Sequence, residues 1–470
     1  MDDFQNAAVK TINELFKMTF KFIAWIIKQI FRINTKAKYS DQQRQKEQAE
    51  RAIKDPPIPA ELRSNEEHGF IFGEKGNSYI IKSEEKDGHI LVVGGVGSGK
   101  SSCIAIPTLR AWQSRVFAID IKGELYKNTR KYRKTIKVFN PQNANSYGYD
   151  PYLLLKTKKF NQAQEARAIA QAIIPLPPEI KDPFWIDSAQ NILTGAILHY
   201  YTNLSFINTL KEIQSHSPRE LISIIAKSPD EKARLCVGNF VGMDDKTLSG
   251  IFSEMSRSIV TLVTDDDIVS ALSREKIISP VDLECGQDIY IQIPEYLLSQ
   301  WKNLLTLIVN QFLTVFERRL ERNTTPILFL LDEFPRLGKI PAIMDGLATL
   351  RSKRISICTI IQSLAQLDMI YGHDERKVIA DTCAYKAILN ATDAETQEYF
   401  SKLVDTYDKI RVANNINYDP YIGLPTGTSE HTSTEEKRII KPSEFATLRD
   451  IVLLSPYGYY RVDKMPYYEE

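Results

Sequence analysis

The stretch HILVVGGVGSGKS, residues 89–101, determines how the rest of the sequence is interpreted. HILVV has the apolar character of a buried strand. The residues after it fit the phosphate-loop pattern G-x-x-x-x-G-K-[ST], whose glycines let backbone N–H groups surround phosphate oxygens. SSCIAIPTLRAW then has a helical pattern, which would bring a positive helix end to the same point. A chance glycine-rich turn is the alternative, but the flanking strand and helix favour a nucleotide site.

This pattern assigns chemistry to individual side chains. We expect Lys100 to reach the β- and γ-phosphates of ATP and Ser101 to hold Mg²⁺. The residues expected to contact the nucleotide are Gly94, Gly95, Gly97, Ser98, Gly99, Lys100, Ser101 and Ser102.

A second apolar run, ILFLLDEFPR at residues 327–336, ends in two adjacent carboxylates. A buried carboxylate needs a positive partner or becomes protonated. We expect this strand to lie beside the phosphate-loop strand, with Asp332 binding Mg²⁺ through its water shell. Glu333 would then orient and deprotonate the attacking water. The alternative is an exposed strand end that carries two surface acids.

A third apolar run, RVFAIDI at residues 115–121, ends near Asp120 and leads into a basic stretch. From Lys122 to Lys137 there are seven Lys or Arg residues and one acid, Glu124. Such a cluster is typical of a solvated helix face. Contact with a nucleic-acid phosphate backbone is the sharper interpretation, and the sequence leaves both open.

Bulk composition sets few limits on function. The chain has 470 residues, enough for two or three domains, and a net charge of +1. Any surface that binds nucleic acid must therefore be local. The five cysteines are scattered and form no C-x-x-C pair, which argues against a zinc site or a disulfide framework and suits a reducing compartment.

The N-terminus predicts an amphipathic helix at residues 1–40. Its segment MTFKFIAWIIKQIFRI is shorter than the ~20 apolar residues of a spanning helix, and its charges form one stripe: Lys17, Lys21, Lys28 and Arg32. This arrangement suits a helix that lies in an anionic membrane interface; packing on another subunit or on a membrane partner is the alternative. Residues 41–67 are predicted to be a charged linker. Its part up to Lys54 is expected to be a solvated helix or a tether, and the prolines at 56, 57 and 59 would break any helix. The globular part is expected from about His68.

Several motifs in one order resemble the coupling proteins of type IV secretion and conjugation systems. They are the phosphate loop, IDIKGELY, FNP at 139–141, FWIDSAQNILTGAILHY, the segment 331–372 and Tyr467-Tyr468-Glu469 after a proline. The resemblance covers roughly residues 68–470. It implies a RecA-like motor, related to hexameric DNA translocases, with an all-helical domain inserted in it.

The predicted fold class is therefore α/β: a RecA-like P-loop nucleotide-binding domain with an inserted all-α domain. We expect the nucleotide-binding domain at 68–181 and 286–470 and the all-α domain at 182–285. Helical periodicity at 187–201, 218–227 and 246–263 supports this division independently, as do the strand-like 288–294 and a long helix at 301–322. Residues 414–436 are polar with Pro and Gly and are expected to form an exposed connection.

The resemblance also implies roles for single residues. Gln362, at the end of the apolar run ISICTII, occupies the position of a polar sensor near the γ-phosphate. Arg351 occupies the position of an arginine that reaches the nucleotide of a neighbouring subunit and stabilises transition-state charge. A helix-surface arginine is the alternative for Arg351, and Arg438 is a rival candidate.

The family implies partners and a place in the cell. They are further copies of the chain, in a hexamer; DNA, with a relaxase, or effector proteins as cargo; other type IV secretion components; and the cytoplasmic side of the bacterial inner membrane. Family members usually carry a two-helix membrane anchor, whereas this chain offers only the short basic segment. Attachment is therefore expected to be peripheral or short-anchored, or to depend on a membrane partner.

Two other function classes share the phosphate motifs. One is a soluble hexameric DNA-pumping ATPase with no role in secretion, against which the N-terminal helix and the helical insert argue. The other is a membrane receptor that uses nucleotide only to set its shape. Lys100, Asp332 and Glu333 argue against a receptor without turnover.

Overall fold

The apolar runs that organise the sequence become strands of the fold. The computed structural model describes residues 2–177, 182–321, 324–418 and 425–468. The strands are β1 (Arg63–Ser64), β2 (Phe70–Lys75), β3 (Ser78–Lys82), β4 (Ile90–Val93), β5 (Arg115–Asp120), β6 (Ile136–Phe139), β7 (Asp288–Gln292), β8 (Ile327–Leu331), β9 (Ile355–Ile361), β10 (Tyr385–Ile388), β11 (Thr406–Tyr418), β12 (Pro425–Arg438), β13 (Ile451–Ser455) and β14 (Gly458–Val462).

Helices occupy much of the remaining chain. They are α1 (Asp2–Lys54), α2 (Ile106–Ala111), α3 (Glu124–Thr129), α4 (Gln162–Ile173), α5 (Phe184–Tyr200), α6 (Phe206–Ser215), α7 (Pro218–Ala226), α8 (Glu231–Val237), α9 (Asp245–Thr264), α10 (Asp266–Ala271), α11 (Pro280–Glu284), α12 (Leu298–Glu317), α13 (Ala342–Thr349), α14 (Leu364–Thr382) and α15 (Ala394–Val404). The chain divides into two compact units: residues 1–57 with 399–441, and residues 58–398 with 442–470.

The larger unit is built on one sheet. Within the described ranges, nine strands follow the order β14-β13-β10-β4-β9-β8-β5-β7-β6. The seven from β10 to β6 are parallel, and β13 and β14 continue the sheet antiparallel. Helices connect parallel strands across the sheet faces, so these strands are buried on both sides and consist of apolar runs. The α/β class predicted from the sequence is confirmed.

The strand order corrects one expectation. The acid-bearing strand β8 is not beside the phosphate-loop strand β4, because β9 lies between them and pairs in parallel with both. Two strand spacings separate β4 from β8, roughly 9–10 Å. Strand order is decided by where each crossover helix packs, and a local motif does not specify it. The carboxyl ends of all three strands nevertheless meet at one edge of the sheet.

The basic stretch after β5 contributes to the core as well as to the surface. Arg133 is 9% exposed, and its guanidinium forms a double ion pair with Asp288 at 2.7 and 2.8 Å. The same carboxylate accepts from the backbone N–H of Val116 at 3.0 Å, at the start of β5. Because Arg133 is engaged in this buried network, it does not belong to a nucleic-acid surface.

Helices fill the chain between β6 and β7. The periodic segments 187–201, 218–227 and 246–263 coincide with α5, α7 and α9. Ser217 caps α7 with a capping box, and Asp244 caps α9 through the N–H of Thr247 at 2.9 Å. Helix α4 begins twenty residues before the expected boundary of the all-α domain at 182, and the limits of that domain stay a prediction.

The start of the globular core differs from the expected position near His68. Ile58 and Leu62 are buried in the hydrophobic core of the large unit, although both lie in the segment predicted to be a linker. Leu62 is placed there by a short 3-10 turn, Ala60–Leu62, after the proline-rich break. The charged part of the linker, up to Lys54, is helical and continues α1, which is one of the two alternatives predicted for it.

The smaller unit contains α1 and the β11–β12 hairpin. Residues 414–436 were expected to form an exposed connection, and this was wrong: β11 and β12 pair antiparallel from Thr406 with Arg438 to Tyr418 with Pro425. A ribbon of two strands holds together through backbone hydrogen bonds and needs no apolar alternation. Residues 419–424 of the predicted connection lie outside the described residues.

Helix α1 exposes its apolar side chains. Phe16 is 74% and Trp25 56% exposed. Glu50 pairs with Lys409 of β11 at 2.7 Å, and this hydrogen bond lowers the pKa of the Glu50 carboxyl. None of the described helices combines the length and the apolar character needed to cross a bilayer.

Candidate active site

The loop after β4 has the conformation that its glycines allow. Gly97 and Gly99 adopt positive φ angles of 73° and 101°, which favour glycine because a Cβ would be strained there. A Cβ on Gly94 would lie 2.3 Å from the Oγ of Ser98. Glycine at position 94 therefore lets the loop fold back closely on itself.

Two side chains hold the loop in place: Lys100 of the loop itself, and Asn390, which follows the neighbouring strand β10. The Nζ of Lys100 donates to the carbonyl oxygens of Gly94 and Gly95, at 2.6 and 3.0 Å. The Oδ1 of Asn390, just after β10, accepts from the N–H of Gly95 at 2.6 Å. Burial lowers the pKa of Lys100, while the carboxylates of Glu333 and Asp332 act in the opposite direction.

A π-helical turn, Lys100–Ala105, follows the loop and runs into α2. The N–H of Ile106 bonds to the carbonyl of Ser101, five residues earlier. Such turns are rare and occur frequently at functional sites. The turn begins at the lysine of the motif, and Ser101 and Ser102 on it face the same pocket.

The acid pair has a constrained backbone. Glu333 has φ 50° and ψ 41°, a left-handed conformation that is uncommon for a residue with a side chain. Its N–H donates to the Oδ1 of Asp332 at 3.0 Å. Burial, and then the neighbouring Glu333 charge, raise the pKa of Asp332 to about 6. An acid in this condition is stabilised in its ionised form by a cation.

Gln362 directly follows β9 and therefore lies between the two motif strands. Its side-chain amide donates to both carboxylate oxygens of Glu333, at 3.0 and 3.3 Å. Gln366, one turn into α14, bonds back to Gln362 through both its oxygen and its nitrogen. The sensor candidate is thus in direct contact with the candidate base.

One pocket of about 450 Å³ collects most of the predicted site residues. Its lining includes Gly97, Ser98, Gly99, Lys100, Ser101, Ser102, Asp332, Glu333 and Gln362. Gly94 and Gly95 lie at the start of the loop, behind this wall, where they accept from Lys100. The loop and the acid pair, 232 residues apart between Lys100 and Asp332, share a single cavity.

Besides Gly94 and Gly95, the two candidate arginines do not line that pocket. Arg351 is exposed and precedes β9, so it lies at the amino-terminal end of that strand, whereas Gln362 lies at the carboxyl-terminal end. There it stands near His89, whose pKa falls to about 4 through burial, then the Lys82 charge and, less strongly, Arg351. Arg438 ends β12 in the smaller unit. The interface role of either arginine stays a prediction.

The third strand end has a structural role of its own. The carboxylate of Asp120 accepts from the N–H groups of Leu125 and Tyr126, at 3.1 and 2.9 Å. It also accepts from the side chain of Gln292 at 3.3 Å. Burial raises the pKa of Asp120 and these hydrogen bonds oppose the shift. Asp120 therefore fixes the start of α3 beside the pocket.

Sequence reasoning missed several residues of the site. The pocket is also lined by Val96, Ile106, Lys122, Glu124, Glu295, Tyr467 and Tyr468. Lys122 and Glu124 stood in the basic stretch, and the tyrosines in the terminal motif, but nothing local indicated that either segment reaches the phosphate loop. Asn390 and Lys464, which hold the loop by hydrogen bonds, carried no sequence signal.

The residues present fit Mg²⁺ with a phosphate ligand. The Ser101 hydroxyl and the Asp332 carboxylate are hard oxygen donors on the wall of one pocket. Mg²⁺ characteristically takes one or two carboxylates with substrate phosphate and water. Among the described residues, the buried Oγ of Ser98 has no hydrogen-bond partner, which is what a polar atom awaiting a ligand would show. The pocket of about 450 Å³ has room for that ligand.

The sheet order and the pocket define a RecA-like P-loop protein. The chain belongs to the type IV secretory system conjugative DNA transfer family, whose model matches residues 34–470. The resemblance drawn from the motifs is thereby confirmed.

Individual relatives agree with this family. Protein VirD4 of Rhizobium radiobacter is 28% identical over 359 residues, which cover 72% of this chain and 52% of that protein. The chain spans about half the length of the curated relatives it matches. The solved structure of the bacterial conjugative coupling protein TrwBdeltaN70, in an unbound form, has a TM-score of 0.68 at 16% identity and covers 86% of this chain and 90% of that chain. TrwB in complex with ADP and Mg²⁺ has a TM-score of 0.63, at 16% identity and the same coverage.

Proposed function

We propose that this chain is a coupling ATPase of a type IV secretion or conjugation system. It would hydrolyse ATP with Mg²⁺ and use the energy to move DNA, carried with a relaxase, or protein substrates to the secretion channel. The observation that carries the ATPase proposal is the single pocket in which the glycine loop, the acid pair and Gln362 meet. The TrwB complex with ADP and Mg²⁺ supports the same ligand in this fold.

Each side chain has a task in the proposed reaction. On nucleotide binding, Lys100 exchanges its two backbone carbonyl partners for phosphate oxygens, and the N–H groups of the loop orient them. Glu333 accepts a proton from the attacking water. Gln362, whose side-chain amide donates to Glu333, holds that carboxylate in position and senses the γ-phosphate. Arg351, supplied by a neighbouring subunit, would stabilise transition-state charge.

Mg²⁺ would be held by Ser101 and Asp332 and would supply charge neutralisation for the phosphates. Asp332 must be ionised for this task. Its raised pKa means that metal binding and loss of the proton are coupled.

The transport role rests on the family. The helices at 182–285 would receive cargo, and six copies would form a ring with ATP at the interfaces. Basic residues facing a central channel would follow a DNA backbone without base contacts. Helix α1, with its exposed apolar side chains and its basic stripe, would attach the ring peripherally to the cytoplasmic side of the inner membrane.

The test is an ATPase assay with and without single- and double-stranded DNA, combined with a measurement of particle size. We expect DNA-stimulated turnover in a large ring. Lys100→Ala should lose nucleotide binding, whereas Lys232→Ala on the exposed face of α8 serves as the matched control. Turnover by a monomer that ignores DNA would contradict the motor role, and ATP binding unaffected by Lys100→Ala would contradict the site.

A further inference from the structure

The segment after β14, residues 464–468, is tied to the phosphate loop. After β14, the Nζ of Lys464 donates to the carbonyl of Ser98 at 3.0 Å and to that of Leu389 at 3.4 Å. Three residues later, the N–H of Tyr467 donates to the carbonyl of Ser102 at 3.0 Å. These bonds fix residues 464–467 against the loop and the turn that follows it.

Arg110 of α2 anchors the same segment through Tyr467. Its Nη1 donates to the carbonyl oxygen of Tyr467 at 3.2 Å. Its guanidinium carbon lies 4.9 Å from the ring centre of Tyr467 and 4.8 Å from that of Tyr132. A guanidinium between two aromatic rings is a favourable cation–π arrangement, so the backbone and the ring of Tyr467 are both held.

Tyr468 is thereby presented to the pocket. Its ring meets the ring of Tyr467 edge-on, with centres 5.3 Å apart, and the residue is 65% exposed. Of the described residues that line the pocket, Tyr467 and Tyr468 are the aromatic ones, and the catalytic candidates on the lining are polar. The polar residues of the lining suit phosphates and metal, and the two tyrosine rings add an aromatic surface to it.

We propose that Tyr468 is a stacking surface for the base of the bound nucleotide, with Tyr467, Arg110 and Lys464 as positioning residues. This inference rests on the proposed nucleotide site and adds a base subsite to it. Stacking on an aromatic ring tolerates any base, since every base has a π-face. Residues 464–468 would therefore favour binding of a nucleoside triphosphate over an inorganic polyphosphate, and would not by themselves discriminate between ATP and GTP.

The experiment compares two probes on the full chain by calorimetric titration with Mg²⁺: ATP and inorganic tripolyphosphate. Tyr468→Ala is expected to weaken ATP binding about tenfold, equivalent to about 1.4 kcal/mol, and to leave the Kd of tripolyphosphate unchanged. Tyr468→Phe should restore most of the lost affinity, because the ring is retained. Tyr457→Ala, in the β13–β14 turn and outside the pocket lining, is the matched control.

The outcomes separate the two proposals. Unchanged ATP affinity in Tyr468→Ala, while Lys100→Ala abolishes binding, overturns the base subsite alone. Equal weakening of ATP and tripolyphosphate also overturns it, since the change would then act through the loop. Should Lys100→Ala bind ATP like the wild type, the nucleotide site itself fails, and the base subsite with it.

Discussion

Glu333 combines three constraints at the scale of one residue. It has a left-handed backbone conformation, it is 9% exposed, and its carboxylate accepts both hydrogen bonds from Gln362. A strained conformation persists only where the surrounding structure holds it, and such residues concentrate at functional sites. Together these constraints fix the direction of the carboxylate before any substrate binds, which is the condition for an efficient general base.

Replacing Glu333 should separate binding from turnover. Glu333→Gln keeps the shape of the side chain but removes the proton acceptor. We expect nearly unchanged ATP affinity and a fall in kcat of about 100-fold or more, measured by titration and by a steady-state assay. Glu231→Gln, at the exposed start of α8, is the control. Turnover at the wild-type rate in Glu333→Gln would show that another group is the base.

Asp332 should make the free protein sensitive to mildly acidic pH. Its folded pKa of about 6 lies above the ordinary value of 3.8. The protonated carboxyl is favoured by the folded state, so its contribution to the free energy of unfolding, measured against Asp332→Asn, is complete below about pH 4. This contribution is lost as the pH rises to about 6. The difference is on the order of 3 kcal/mol. Denaturant unfolding of both variants between pH 4 and 7, without metal or nucleotide, measures it; parallel curves would contradict the assignment.

The sequence motifs identified the residues with local signatures and missed those without. Lys100, Asp332 and Glu333 follow apolar strands in recognisable patterns, and Gln362 was indicated by family resemblance. Tyr468 and Lys464 reach the loop because they follow β14, the last strand at one edge of the sheet. Lys464 is 366 residues from its partner Ser98 in the sequence. That proximity is a property of the strand order and leaves no local pattern.

At the scale of elements, a buried ion pair connects β7 to the segment that precedes β6: Asp288 begins β7, and Arg133 lies just before β6. Asp288, the first residue of β7, receives two bonds from Arg133 and one from the start of β5. The charges are desolvated, so their attraction must offset a large penalty. The pair thus fixes register between neighbouring strands where the chain returns from the helical segment.

Removing one partner of this pair should be severely destabilising. Arg133→Ala leaves Asp288 buried and uncompensated, and we expect a loss of about 3–5 kcal/mol in the free energy of unfolding. Arg130→Ala removes a less buried arginine from the same basic stretch and should change stability far less. Chemical denaturation compares the two variants; equal, small effects would mean that the buried pair contributes little.

The elements were predictable where burial dictates the pattern. Strands β4, β8 and β9 stood out because parallel strands covered on both faces must be apolar. The β11–β12 hairpin did not, because its residues are polar and its pairing depends on the backbone. The neighbours of β8 were also misjudged, since an apolar run shows that a strand is buried but not beside which strand.

At the scale of the whole molecule, the predicted site is incomplete in one chain. The candidate finger Arg351 lies away from the pocket that its own chain builds. In a ring, one chain would donate the loop and acids and the next would donate the arginine. The assembly is therefore part of the proposed chemistry.

Mixing inactive variants tests this arrangement. Arg351→Ala keeps its own loop, and Lys100→Ala keeps its own arginine. Each alone should lack turnover, while a mixture should recover a fraction of the wild-type rate at interfaces that combine the intact loop with the intact arginine. The same mixture with Arg438→Ala in place of Arg351→Ala tests the rival arginine. No recovery in any mixture, with rings confirmed by size, would exclude a shared site.

Strand β9 would have a further consequence in the proposed ring. It is seven residues long, about 23 Å, with Gln362 at one end and the turn carrying Arg351 just before the other. If Gln362 moves when the γ-phosphate leaves, β9, which is hydrogen-bonded to strands on both sides, would transmit that displacement to the turn that carries Arg351. Hydrolysis in one site would then shift the arginine that serves the next site, through the backbone of β9. The order of hydrolysis around the ring would follow from this displacement.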